Sequence, residues 1–302
     1  MGSCLTKRLL NDGHKVTVVD ILWFGNYLGR HKNLDIIQND IRDVENISMK
    51  GVDVVIHLAA ISNDPTSDLD PKLTWEVNVL ATMHLIEKAV ASGVREFIFA
   101  SSGSVYGVKD EDDVTEDLSL VPISDYNKTK MLAERVLLSY KDKIIINIIR
   151  PATVCGYSPR MRLDLSVNML TMQALVNGKI TVFGGSQIRP NIHIRDMVEL
   201  YLHFLSSSEL EGGIFNAGFE NLSIMSIAKK VAEHVPAEII RTNSDDPRSY
   251  RVNSDKLINS GFYPSYGVED AIQEIIEEYN AGRIEDEDGS YNIRVMKKSL
   301  AS

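Results

Sequence analysis

Between Phe97 and Lys130 the chain carries three kinds of side chain that together can move a proton on and off an alcohol. Tyr126 and Lys130 stand four residues apart in Tyr126-Asn-Lys-Thr-Lys130, and Ser102 follows the apolar run Phe97-Ile-Phe-Ala100. A tyrosine hydroxyl titrates near 10 in water, so its use as a base at neutral pH requires a lowering of roughly three units, about 4 kcal/mol. A cation held nearby can supply much of that. If residues 124–141 are helical, positions i and i+4 share a face, and the Lys130 ammonium can stand near the Tyr126 phenolate. Ser102, at the carboxyl end of a strand, would hydrogen-bond the same substrate oxygen.

Such groups need a rigid support, and the surrounding pattern predicts one. The first 150 residues alternate short β-branched apolar runs with helical patterns, the order that gives a parallel sheet covered by helices on both faces. Strands are predicted over 15–20, 34–38, 52–58, 96–100 and 144–150, and helices over 3–11, 71–91 and 124–140. Beyond residue 160 the pattern is mixed, with helices over 164–177, 196–206, 223–234 and 268–279. The predicted fold class is therefore α/β: a doubly wound parallel sheet over residues 1–162, followed by a smaller mixed α/β domain over 163–302. The tail after Gly282 contains Glu285-Asp-Glu-Asp-Gly289 and reads as a solvated, loosely held end.

Composition narrows the function classes. With 302 residues, 44% hydrophobic and 25% charged, the chain can bury a full core. No run of 18 apolar residues occurs and the N-terminus lacks a secretion pattern, so a cytoplasmic protein without a membrane partner is expected. A net charge of −10 argues against nucleic acid as a partner, since no basic stripe could replace condensed counterions. Cys4 and Cys155 read as packing residues, and no group of His, Cys and carboxylates has metal-ligand spacing.

The order of Ser101-Ser102 after a strand, Val105-Tyr106-Gly107, Tyr126-x-x-x-Lys130 and Arg150-Pro151 resembles the extended short-chain dehydrogenase/reductase family, in its nucleotide-sugar epimerase and dehydratase branch. The resemblance implies a Rossmann-like sheet, NAD as cofactor, and Ser102, Tyr126 and Lys130 as catalytic residues. Gly2-Ser-Cys-Leu-Thr resembles the family's text from the last glycine of its glycine-rich turn onward, so the first strand and most of that turn are expected to be missing. Asp20 stands where the adenosine ribose hydroxyls are held, which also disfavours a 2′-phosphate. Asp40 and Ile41 match the adenine-edge pair. Leu58, Ala59 and Ala60 would let the backbone approach the cofactor, and Gly2, Asn78, Tyr126, Lys130, Pro151 and Thr153 are likewise expected at the cofactor. Asn78 matches an asparagine that ties the long helix to the active-site strand, while His57 is taken as structural.

On the substrate side the resemblance implies a nucleotide-diphosphate clamp of Asn168, Arg189 and Arg248, with Arg251 as an alternative to Arg248. Ser102, Ser104 and Thr153 would face the sugar. Part of 181–213, centred on 192–206, is expected to return to the first domain, and a homodimer through the two long helices, 71–91 and 124–140, is expected. Gly103 and Ser104 cannot titrate, whereas relatives that eliminate water or decarboxylate carry acidic residues after the catalytic hydroxyl. What remains is oxidation at a carbinol and hydride return, the chemistry of a nucleotide-sugar 4-epimerase. The alternatives left open are a 4-ketoreductase or dehydrogenase, a 4,6-dehydratase-like enzyme, and a noncatalytic truncated relative.

Overall fold

The alternating pattern folds, in a computed structural model, as layers of helix and parallel strand; residues 1–207, 212–243 and 249–301 are described. In chain order, α1 (Gly2–Asn11) leads to β1 (Val16–Asp20) and β2 (Leu34–Gln38), and β3 (Val54–His57) precedes the short α2 (Asp64–Ser67). Then come α3 (Pro71–Trp75), α4 (Ala81–Ala91), β4 (Glu96–Ala100), α5 (Asp125–Leu138) and β5 (Ile145–Pro151). The second half contains β6 (Thr153–Cys155), α6 (Ser166–Asn177), β7 (Lys179–Phe183), β8 (Ile188–His193), α7 (Ile194–Ser206) and β9 (Gly213–Ala217). It closes with β10 (Glu220–Ser223), α8 (Ile224–His234), β11 (Glu238–Thr242), α9 (Asp255–Asn259), α10 (Val268–Asn280) and α11 (Asn292–Ala301).

β3, β4, β5 and β9 form a four-stranded parallel sheet in that order. Its central strand β4 is buried throughout, as expected of a strand covered on both faces. On one face Phe97 and Phe99 meet Leu85, Ile86 and Leu137 of the long helices; on the other, Ile98 and Ile149 meet Leu5 and Leu9 of α1 and Met197 and Tyr201 of α7. Thus α7 and β9, from the second half of the chain, pack on the first. A second core, holding Leu170, Ile180, Val231 and Ile272, joins α6, α8 and α10 with the small sheet β7–β11.

The helix predicted over 71–91 is continuous only through a π-helical turn, Glu76–Leu80, between α3 and α4. The wider turn carries Asn78 into the interior, where it is 1% exposed. The acidic tail departs from expectation and is packed. Ile284 and Met296 are buried, the Ser290 carbonyl accepts from the Leu163 amide at 2.9 Å, and Asn292 Nδ2 donates to Ser62 Oγ at 3.0 Å. The acidic run hides a buried i, i+4 pair, Asn292 and Met296, on the helix that follows.

The parallel order is interrupted between β1 and β3. β1 pairs only with β2, and β3 only with β4, so among the described residues the facing edges of β1 and β3 have no ladder partner. Val16, Val18, Val54 and Ile56 line this slot, which opens into a cavity of about 1650 Å³ that also reaches Ser102, Tyr126 and Lys130. Unpaired strand edges next to solvent open at low free energy. Amide exchange followed by mass spectrometry should show β1 and β2 exchanging well ahead of β4 and β5, and equal protection of the two pairs would refute the weakness assigned to the slot.

Candidate active site

Local capping sets the site. Ser124 begins α5 by accepting from the Asn127 amide at 3.2 Å, which puts Tyr126 in the first helical turn beside the end of β4. Ser102 caps the short helical turn Gly103–Tyr106, sharing a hydrogen bond with Ser104 Oγ at 2.7 Å, and Ser104 Oγ donates to Asn127 Oδ1 at 2.5 Å. The Tyr126 phenol hydrogen-bonds Ser102. Burial pushes that phenol above its ordinary value, the Ser102 bond and the charge of Arg162 opposing and Asp64 adding to the rise. Ser102 and Tyr126 are therefore brought together with the phenol in its protonated form.

Lys130 is placed differently from the expected contact with the phenolate. Its Nζ donates to the Ala100 carbonyl at 2.8 Å and lies 4.7 Å from the Phe99 ring centre. In a dry site an ammonium seeks the nearest acceptor, and the Ala100 carbonyl at the end of β4 supplies one. Burial lowers Lys130 to about 7, with Glu134 working in the opposite direction. His57, also buried, is held neutral at about 3 by burial and secondarily by the charge of Lys130; its Nε2 meets Thr82 Oγ1 at 2.9 Å.

The residues expected at the cofactor line the same cavity: Gly2, Asp20, Ile41, Leu58, Ala59, Ala60, Pro151 and Thr153. Asp20 ends β1 exposed, with Oδ1 accepting from the Leu22 amide at 2.7 Å. Asp40 is not free for an adenine edge in this conformation, because Arg42 holds its carboxylate at 2.8 and 3.0 Å. Although burial opposes it, those bonds keep Asp40 below the usual carboxylate range. Asn78 ties the long helix to the segment after β3 and to α5, not to β4. Its amide exchanges bonds with both the N–H and the carbonyl of Ile61, at 2.9 and 3.0 Å, and donates to Thr129 Oγ1 at 3.0 Å.

Of the expected clamp, Arg189 lines the cavity. Asn168 also lines it, but its amide is engaged with backbone: Oδ1 accepts from the Gly156 N–H at 3.1 Å, and Nδ2 donates to the Arg162 carbonyl at 3.1 Å. Arg248 lies outside the described residues, and the alternative Arg251 points to Asp112 at 3.5 Å. Sequence reasoning missed Arg160 and Arg162. Arg162 pairs with Asp164 at 2.9 Å, while Arg160 stacks on Phe24 at 4.4 Å and donates to Asn292 Oδ1 at 2.6 Å. Arg160 Nε and Nη2 are buried without a partner among the described residues. The Arg160-Met-Arg162 spacing was the available signal; the partners of Arg160 come from remote segments, while that of Arg162 is two positions away.

This geometry has known counterparts. The model of the NAD dependent epimerase/dehydratase family matches residues 1–218. The chain belongs to that family. It is 30% identical over 309 residues to a UDP-glucose 4-epimerase of Streptococcus mutans, covering 91% of both chains. It is 27% identical to UDP-glucuronic acid decarboxylase 1 of Danio rerio, over 93% of this chain and 70% of that one. Among solved structures, the UDP-glucuronic acid 4-epimerase of Bacillus cereus in complex with UDP-glucuronic acid and NAD superposes with a TM-score of 0.79 at 27% identity, covering 92% and 96% of the two chains.

The family is one of enzymes and its cofactor is NAD. The cleft suits that group at several points. α1 begins at Gly2 with no side-chain cap, so its first amides are free to meet a pyrophosphate. Asp20 offers a carboxylate for a ribose diol, and Tyr126, Lys130, Pro151 and Thr153 form the far end. Among the described residues, no three His, Cys, Asp or Glu gather as a metal site, and no helix is long and apolar enough to cross a membrane.

The depressed His57 value makes a stability prediction. The folded state keeps this ring neutral while the unfolded state binds a proton below about 6.5, so folding stability falls as pH drops from about 6.5 towards 3. Urea melts of His57→Gln should show a shallower loss across that window than wild type. An identical slope would exclude His57 as a source of acid sensitivity.

Proposed function

We propose that this protein is a nucleotide-sugar 4-epimerase that uses NAD. The observation that carries the reading is the space after the catalytic hydroxyl. A Cβ on Gly103 would come within 3.2 Å of the Pro151 carbonyl oxygen and 3.6 Å of the Tyr250 ring, so a side chain there would press on the end of β5, which would have to give by a few tenths of an ångström. Ser104, next along, is engaged by Ser102 and Asn127. The groups that the end of β4, the turn after it and α5 set here, Ser102, Ser104, Tyr126 and Lys130, are a phenol, an ammonium and hydroxyls, which suit proton exchange with a carbinol. NAD supplies, when bound, the acceptor and donor of hydride at sugar C4.

Tyr126 takes the C4 hydroxyl proton and later returns one, and Ser102 holds the same oxygen. Because burial raises the Tyr126 phenol, it becomes a base only when a cation approaches it, and Lys130 on the next turn is the group that can. Arg189 and the two unpaired donors of Arg160 supply positive charge to the diphosphates of an anionic substrate in an acidic protein. Asn168 shapes the floor of the same pocket. The names of the relatives, UDP-sugar enzymes, support a nucleotide-diphosphate sugar as substrate. The same reading carries a homodimer through the long helices, where Leu80 is 49% exposed.

Tyr126→Phe and Lys130→Met should each lower turnover of a nucleotide sugar by about a hundred- to ten-thousand-fold, and Ser102→Ala by less. Run in deuterated water, the reaction should leave the product carbons free of solvent deuterium. Deuterium at C3 or C5 would exclude the 4-epimerase and point to proton abstraction from carbon. Preference for NADP over NAD in a binding titration would overturn the role given to Asp20.

A further inference from the structure

Glu134 is absent from every role assigned so far, yet it is 1% exposed and fully engaged. It stands one turn beyond Lys130, so Tyr126, Lys130 and Glu134 form a row along α5 at successive i+4 steps. Glu134 Oε1 accepts from Ser101 Oγ at 2.5 Å and from Arg150 Nε at 3.0 Å, and Oε2 accepts from Arg150 Nη2 at 2.7 Å. Ser101 lies between Ala100, whose carbonyl receives the Lys130 ammonium, and Ser102. We propose that Glu134 is a positioning residue for Lys130: its carboxylate pins the strand end that holds the ammonium and the Ser102 hydroxyl, and supplies the negative charge that keeps the ammonium protonated in a dry site. The proposal rests on the role given to Lys130 above.

The neighbouring charges favour this assignment. Towards Lys130, β3 presents His57, which is neutral, and β4 presents the Phe99 ring and the Ala100 carbonyl. From β5 comes Arg150, whose charge is opposed by burial but upheld by Glu134, and which also donates to the Tyr106 hydroxyl at 2.8 Å and to the Glu116 carbonyl at 3.4 Å. The Glu116 carboxylate is turned to the Asn216 amide at 2.7 Å. Among the described residues, Glu134 is thus the carboxylate whose charge acts on Lys130, against the burial that drives the proton off. A buried ion pair needs only its two members. The third bond, to Ser101, is what links this one to the reacting groups.

The experiment is a pH titration of the Lys130 Cε resonance in protein labelled with [ε-13C]lysine, the signal being assigned by its loss in Lys130→Met. In Glu134→Gln the Lys130 ammonium should become at least tenfold more acidic, and Glu134→Asp should stay within threefold of wild type. Should the lone Arg150 unfold Glu134→Gln, the paired change Glu134→Met with Arg150→Met leaves no orphaned guanidinium and should show an increase of at least threefold, smaller than in the single change because the opposing guanidinium charge leaves with the carboxylate. Acidity within twofold of wild type in either folded variant lacking the carboxylate overturns the proposal. Turnover gives a second readout: kcat of Glu134→Gln should recover as the pH is lowered, with KM unchanged, whereas a loss equal at every pH would leave Glu134 only structural and overturn the charge role. If wild type acts on no nucleotide sugar, the proposed function fails, and the Lys130 titration still decides the part played by Glu134.

Discussion

The carboxyl end of β4 is held by a buried ion pair, and the arrangement of the site follows from it. Glu134 on α5 and Arg150 on β5 are both almost wholly removed from water, so each depends on the other. Their link reaches Ser101 at one side and, through Tyr106, Asn216 at the other, where the Tyr106 hydroxyl donates at 2.7 Å. Asn216 Nδ2 in turn donates to the carbonyls of Val114 and Asn253, at 3.0 Å each. One connected set of polar groups therefore joins α5, the ends of β4 and β5, and the segment beside Tyr250. Replacing any one member would leave buried partners unsatisfied, which is how such a network specifies a single arrangement.

The same fold combines a tightly determined end of β4 with a weakly determined slot beside β1. β4 is paired on both edges and covered on both faces, whereas β1 is paired on one edge and shares its other side with the cavity. The row of residues proposed to bind cofactor, from Gly2 to Ala60, borders this slot, so cofactor affinity and the order of β1 are physically coupled. Binding at that edge would hold β1 and α1 in place, and their local opening would weaken binding. On the proposed function, Arg160, Arg162 and Arg189 gain importance, since a diphosphate would approach a protein of net charge −10 most readily where such donors gather.

The local pattern was enough for the strands and helices that carry the site, because their signals are short-range. The apolar run in Glu96–Ala100 and the i, i+4 spacing of Tyr126 and Lys130 need only neighbouring residues to be read. The family resemblance follows from the same stretches, and so does the absence of a titratable group at 103 and 104. Tertiary structure decided what those side chains touch. Lys130 turns to Ala100, Asp40 is taken by Arg42, Asn168 is spent on backbone, and the acidic tail docks through Asn292 and Met296. The contacts of Lys130 and of the tail depend on partners tens to hundreds of positions away, while Arg42 is two positions from Asp40 and wins its carboxylate only because the fold sets the two side chains together. Sequence spacing fixes which face a residue occupies; burial and the nearest unsatisfied polar group fix its bonds, and both exist only once the chain has folded.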